Sequence, residues 1–170
     1  LAAATERLRA RPIIEQVLLR REPPETLVIS LKEREPIALV NTPQGLRGLS
    51  REGLLFPLPQ TIWDLPVVTG ADASQDLSPL AEFVEALRVQ DRTFWDDVSE
   101  IQVGSLLRAY LNGDDLEIRM SFEGVDHQVR NFKAYINAGA YRGLELAYLD
   151  LRYRDQVVVG KRIEAQVASR

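Results

Sequence analysis

The side chains able to do chemistry are few and scattered. There is one histidine, His127, and a metal site or a nucleophile–base pair needs further groups at matched spacing. His127 falls on the flank of a helix-like segment, away from the stripe Val125, Val129 and Phe132, so the sequence predicts a solvated surface histidine. Asp96-Asp97 and Asp114-Asp115 are paired carboxylates, the residue type of acid/base dyads and of weak cation sites. Adjacent residues project in different directions, so neither pair converges on one proton. Turn chemistry by aspartate suits both pairs better. The chain has no cysteine, which excludes disulfides, thiol catalysis and Cys-based zinc. The phosphate-cradling GxGxxG and GxxxxGK[ST] patterns and the GxSxG nucleophile turn do not occur. No cofactor or metal is implied, and the residues for an enzyme are lacking.

The remaining charged groups point to surfaces. Arg20-Arg21 could hold an anion, although alternation on a solvated strand accounts for them equally well. Glu33, Arg34 and Glu35 read as a charged strand end at a domain junction. Asp150 and Arg152, two apart on one strand face, read as a surface ion pair of small energetic weight. The formal net charge of -4 over 170 residues, with no Lys/Arg cluster among aromatics, gives no case for nucleic acid. A content of 45% hydrophobic and 27% charged residues describes a folded protein with one sizeable core or two small ones. No apolar run reaches the ~20 residues that span a bilayer. The opening LAAATERLRARP is too charged for a signal peptide and begins as though inside a helix, so the expectation is a piece of a longer protein.

The elements that must position these groups follow from periodicity. Residues 1–10 are helix formers and meet Pro12, which stops them. Residues 13–20 and 26–32 are two β-like runs around Pro23-Pro24. In the second, Leu27, Ile29 and Leu31 alternate with Thr26, Val28, Ser30 and Lys32, which predicts a half-buried strand. One helix on two strands barely encloses a core. Further on, Arg51-Glu52-Gly53 marks a turn, and Phe56 and Trp63 are expected core anchors within irregular chain. Ser78-Pro79 opens a helix, Ser78 as its cap, with the stripe Leu80, Phe83, Val84 and Leu87. Residues 98–103, 106–111 and 116–120 are strands, with Asn112-Gly113 as a hairpin turn. A second helix covers residues 125–138, with Val125, Val129, Phe132 and Ile136 inward and Gly139 as its stop.

The chain closes on residues 144–153 and 156–162, two β-rich runs around the polar break Arg154-Asp155. In the first, Ala147, Leu149, Leu151 and Tyr153 share one face. The other face begins apolar with Leu144, Leu146 and Tyr148 and turns charged at Asp150 and Arg152, which predicts a strand central at its start and half exposed at its end. Lys161 and Arg162 are charges of the kind that blunt an open sheet edge. The order of elements gives an α+β fold.

Several of these segments together resemble the FtsQ/DivIB family of bacterial cell-division proteins. Arg20, Arg21, Pro24, Leu27, Ile29, Glu33, Arg34, Pro36 and Ala38 match in order the end of that family's POTRA domain. Gly53 with Phe56, then Leu65, Pro66 and Gly70, and finally Asp150-Leu151-Arg152-Tyr153 match its β domain. Gln156 stands where the family often has Gly, and Lys161 where some members have an aromatic. The resemblance implies the C-terminal part of a POTRA domain over residues 1–39, a helix plus two strands. It implies a β domain over residues 40–170, a mostly antiparallel sheet with two helices and a C-terminal hairpin.

By that resemblance the chain is the extracytoplasmic part of a single-pass inner-membrane protein at the division septum, held by a transmembrane helix outside this sequence. It would be a non-enzymatic scaffold of the divisome. Its partners would be FtsB/DivIC- and FtsL-type proteins, with other divisome components met through the POTRA part. The expected mode is strand addition along Tyr153, Gln156, Val157, Val158, Val159, Gly160 and Lys161. Arg20, Arg21, Glu33 and Arg34 form the candidate POTRA surface. The alternative is a POTRA-type module of an outer-membrane assembly or transport protein; against it, the sequence has neither internal repeats nor barrel-like alternation.

Overall fold

The computed structural model describes residues 2–58, 61–113, 115–139 and 145–162. Helix α1 (Ala2–Arg9) stops ahead of Pro12. It is followed by β1 (Ile14–Glu22) and β2 (Thr26–Glu33), an antiparallel pair that forms a sheet of its own. Ile14 and Val17 of β1 are buried. The alternation in β2 is real but does not bury its apolar side: Leu27, Ile29 and Leu31 are 46%, 50% and 51% exposed. Two strands and one short helix supply too few side chains to cover both faces.

A nine-stranded sheet holds the core. Its strands are β3 (Ala38–Thr42), β4 (Gly45–Leu49), β5 (Leu55–Pro57), β6 (Val67–Thr69), β7 (Val98–Val103), β8 (Leu107–Leu111), β9 (Glu117–Met120), β10 (Leu146–Asp150) and β11 (Val158–Lys161). They lie in the order β11-β10-β9-β8-β7-β6-β3-β4-β5. The β3–β6, β6–β7 and β9–β10 pairs are parallel and the other pairs antiparallel. The chain is α+β with a mostly antiparallel sheet. Register brings Val40, Val68, Ile101, Ala109, Ile118 and Leu149 into one row across six strands, and every one is buried.

Helices complete that core. In α2 (Ser78–Gln90) the stripe Leu80, Phe83, Val84 and Leu87 is buried, as a 3.6-residue period requires. The cap position belongs to Leu77 rather than Ser78, whose hydroxyl donates to Asp76 Oδ1 at 2.7 Å. In α4 (Val125–Asn137) Val125 and Val129 are buried while Ile136 is only half-buried. Gly139 ends the helix at φ 64°, the left-handed conformation that suits glycine.

Three elements lie where the sequence predicts none. Helix α3 (Arg92–Asp97) is too short for a periodic stripe; Asp91 caps it by accepting from the Thr93 and Phe94 N–H groups at 3.0 and 3.2 Å. It makes Trp95, 3% exposed, the buried tryptophan, and the expected anchor Trp63 is only half-buried. Asp96 and Asp97 accordingly end a helix rather than form a turn, with Asp96 paired to Arg92 at 2.9 Å. Strands β3 and β6 lie inside the sheet, each with parallel pairing; Ala38, Leu39 and Val40 of β3 are buried on both faces, which erases alternation, and the three residues of β6 are too few to show it.

Gly70 closes β6 at φ 74°, and a Cβ there would lie 2.2 Å from the Val103 carbonyl oxygen. Gly70→Ala is expected to lower stability by about 2 kcal/mol, from left-handed strain plus the backbone clash. Chemical denaturation with unchanged slope would read it.

Candidate functional site

Strand β11 lies at one end of the sheet, and among the described residues no strand pairs with its outer side. Its inner side pairs with β10: Asp150 faces Val158, Leu149 faces Val159 and Tyr148 faces Gly160. One step beyond, the Arg162 N–H donates to the Glu145 carbonyl at 2.8 Å. Main-chain groups alternate in a strand, so the N–H groups of Gly160 and Val158 also point inward, and those of Val159 and Lys161 point away from the sheet. Tyr148 fixes the strand at close range. Its ring lies over Gly160, where a Cβ would come within 2.1 Å of it, and the Arg119 guanidinium sits 3.5 Å from the ring centroid on β9.

The hairpin differs from the sequence expectation in three respects. The strands stop at Asp150 and resume at Val158, so Tyr153, Gln156 and Val157 belong to a seven-residue connection rather than to strands. Burial along β10 rises toward its end, with Leu146 and Tyr148 half-buried and Leu149 and Asp150 buried; position 144 lies outside the described residues. The reason is the parallel neighbour β9, which encloses the end of β10, not its start. Asp150 is thus no surface partner: its side chain is 6% exposed and takes two bonds from Arg152, 2.9 Å from Nε and 2.6 Å from Nη2. These bonds to Arg152 hold the Asp150 carboxyl below its ordinary value.

Leu151, fully buried, anchors the start of the connection. Asn131 of α4 anchors its middle: Nδ2 donates to the Tyr153 carbonyl at 2.8 Å and lies 3.3 Å from that of Arg154. The Tyr153 ring remains 45% exposed and Val158 38% exposed, beside half-buried Val157 and Val159. Asn131 is not among the candidates that the sequence alone points to. Its signal was an amide residue in a helix interior, where asparagine is unfavourable unless its side chain is engaged.

The other candidates separate from this edge. His127 is half-buried, not solvated: its ring covers Gly124 and its Nε2 is shut off from solvent without a partner. Arg20, Arg21 and Glu33 are exposed on the two-stranded sheet, and Arg20 pairs with Glu22. Arg34 is turned inward, its side chain 14% exposed against Glu52. Asp115 faces Arg162 at 3.7 Å, and Asp114 lies outside the described residues. No group of three or more metal-ligating side chains occurs among the described residues.

The family model described as cell division protein FtsQ/DivIB, C-terminal, matches residues 38–152. The chain belongs to the FtsQ/DivIB family. The matched stretch runs from the first strand of the nine-stranded sheet to the Asp150–Arg152 pair, and the residues from Tyr153 to Lys161 follow it. A curated relative, the cell division protein FtsQ of Geobacter sp. (strain M21), is 27% identical over 180 residues, covering 95% of this chain and 64% of that protein. The chain therefore spans just under two thirds of that FtsQ. A solved structure, the major extracytoplasmic domain of the trans isomer of the cell division protein DivIB from Geobacillus stearothermophilus, is 20% identical. It aligns with a TM-score of 0.45, over 65% of this chain and 98% of that one. No helix among the described residues of this FtsQ/DivIB chain is long and apolar enough to cross a membrane.

Proposed function

We propose that this FtsQ/DivIB chain is a non-enzymatic scaffold of the bacterial divisome, acting outside the cytoplasmic membrane at the septum. It takes an FtsB/DivIC-type partner as an added strand on β11, with FtsL-type proteins in the same assembly. The observation that carries the reading is the position of β11 at the end of the sheet with the Val159 and Lys161 N–H groups turned outward. Such groups are a template for another chain. The contact surface comprises Tyr153, Gln156, Val157, Val158, Val159, Gly160 and Lys161. Tyr153 offers a large amphipathic ring whose backbone is held by Asn131, so little entropy is lost when a partner covers it. Residues 1–39 are proposed as the end of a POTRA domain, and residues 40–170 as the β domain. Arg20, Arg21 and Glu33 then give the POTRA part a charged face for other divisome components.

Two variants test the edge against a labelled peptide from an FtsB/DivIC-type protein. Tyr153→Ala is expected to weaken binding by roughly 2 kcal/mol, about 30-fold, with only a small fall in melting temperature because nearly half of the residue is solvated. Val159→Pro removes an outward N–H and leaves the β10–β11 ladder its donors, so it is expected to abolish strand addition while the domain still folds. Unchanged binding by a folded Tyr153→Ala protein, with a lowered melting temperature, would mean that Tyr153 is structural and the site lies elsewhere.

A further inference from the structure

The two sheets are joined by the segment from Arg34 to Ile37, and Arg34 makes unusual use of its position. Its backbone N–H donates to Ile13 O at 2.7 Å. Its Nε donates to Pro12 O at 3.1 Å, which ties it to the start of β1. Its Nη1 reaches Glu52 Oε2 at 2.8 Å, in the turn between β4 and β5. One guanidinium therefore bonds both bodies. Among the ion pairs of the described residues, Arg34–Glu52 is the one that joins the two-stranded sheet to the nine-stranded sheet.

The turn that receives Arg34 is itself held firmly. Ser50 Oγ accepts from the Glu52 and Leu54 N–H groups at 3.2 Å each. Ser78 Oγ, whose proton goes to Asp76, lies 3.4 Å from Glu52 O. Gly53, at φ 78°, presses against α2 so closely that a Cβ would lie 2.5 Å from the Ser78 nitrogen. Arg51 adds a contact to Glu85 of α2 at 3.7 Å. Past the junction, the Ile37 N–H donates to Leu49 O at 2.8 Å, so the segment is pinned at its far end as well.

We propose that Arg34 is an orientation clasp, fixing the two-stranded sheet against the β4–β5 turn so that the surfaces of the two bodies are presented at one angle. A planar guanidinium with donors on two sides can hold two acceptors in fixed relation, which a lysine ammonium cannot do as rigidly. The Ser50 hydroxyl, together with the Glu52 main chain and Arg34, keeps the Glu52 carboxyl below its ordinary value despite partial burial. The Glu52 carboxylate thus stays charged throughout the neutral range, so its bond to Arg34 is not a pH switch near pH 7.

The test is a distance measurement by electron paramagnetic resonance, for which the absence of cysteine leaves a clean background. Spin labels go on Glu25→Cys, in the exposed turn of the small sheet, and Glu82→Cys, on the exposed side of α2. The intact clasp is expected to give one narrow distance peak. Arg34→Gln is expected to lose that peak to a broad distribution. Glu52→Gln, which keeps an acceptor but removes the charge, is expected to broaden it less, and because Glu52 is a surface residue this variant keeps the fold. A narrow, unshifted peak in folded Glu52→Gln and Arg34→Gln proteins would overturn the proposal, since the angle would then be set without the clasp.

Discussion

Phe83→Ala is expected to lower the free energy of unfolding by about 3–5 kcal/mol, the range for emptying a large aromatic site in a packed core. Phe83 lies in the middle of α2, 2% exposed, with its ring edge-on to Phe122 at a centroid distance of 5.9 Å. It is one of five α2 side chains, with Leu80, Ala81, Val84 and Leu87, in the cluster that also holds Val68, Ile101, Ile118 and Leu149 of the sheet. Removing the ring opens a void between helix and sheet that neighbours on fixed strands cannot close. Phe122→Ala is the control. At 44% exposure that residue buries only a little over half its surface, and the variant is expected to lose about 1 kcal/mol. Urea titrations of the two variants at equal slope read the difference. A loss below about 1.5 kcal/mol for Phe83→Ala would mean that α2 is loosely seated.

How much of this was legible in the sequence depended on whether the signal was local. The stripe from Leu80 to Leu87 announced α2 because every member faces one layer. Asn112-Gly113 announced the turn between β8 and β9 for an equally local reason, since Gly113 sits at φ 72°. Strand β6 left no such trace: Val67-Val68-Thr69 between Pro66 and Gly70 is too short to alternate, and its identity comes from parallel neighbours distant in sequence. Which tryptophan is buried was likewise undecidable from composition, because Trp95 is carried inward by a six-residue helix that Asp91 caps. The terminal edge was legible as a strand with charged ends. Its connection was not, because the hold of Asn131 on the Tyr153 carbonyl joins residues 22 apart.

The Asp150–Arg152 pair shows most clearly what spacing alone leaves open. Two opposite charges on one strand face look like a surface pair until β9 is placed beside them, with Arg119 opposite Asp150 in register. The carboxylate is then buried while Arg152 keeps 36% of its side-chain surface. The two ends of the pair are therefore unequal. Arg152→Ala leaves a buried anion held only by the main-chain N–H of residue 152, at 3.2 Å, and by the nearby Arg119, and is expected to cost about 2–4 kcal/mol at neutral pH, somewhat under the usual loss for breaking a fully buried pair.

The pH dependence follows from the direction of the shift. Arg152 depresses the folded-state pKa of Asp150 through its hydrogen bonds, so its stabilisation is fully present above the ordinary carboxylate range and is lost as pH falls through the depressed value. The gap in stability between the unaltered protein and Arg152→Ala should accordingly be widest near pH 7 and narrow steadily on acidification. The variant itself should begin its acid transition at higher pH, because its unpaired Asp150 takes up a proton sooner. Denaturant midpoints measured from pH 7 down to pH 3 decide the matter. A gap that stays constant across that range would show that Arg152 stabilises by packing its aliphatic stem, not by holding the charge of Asp150.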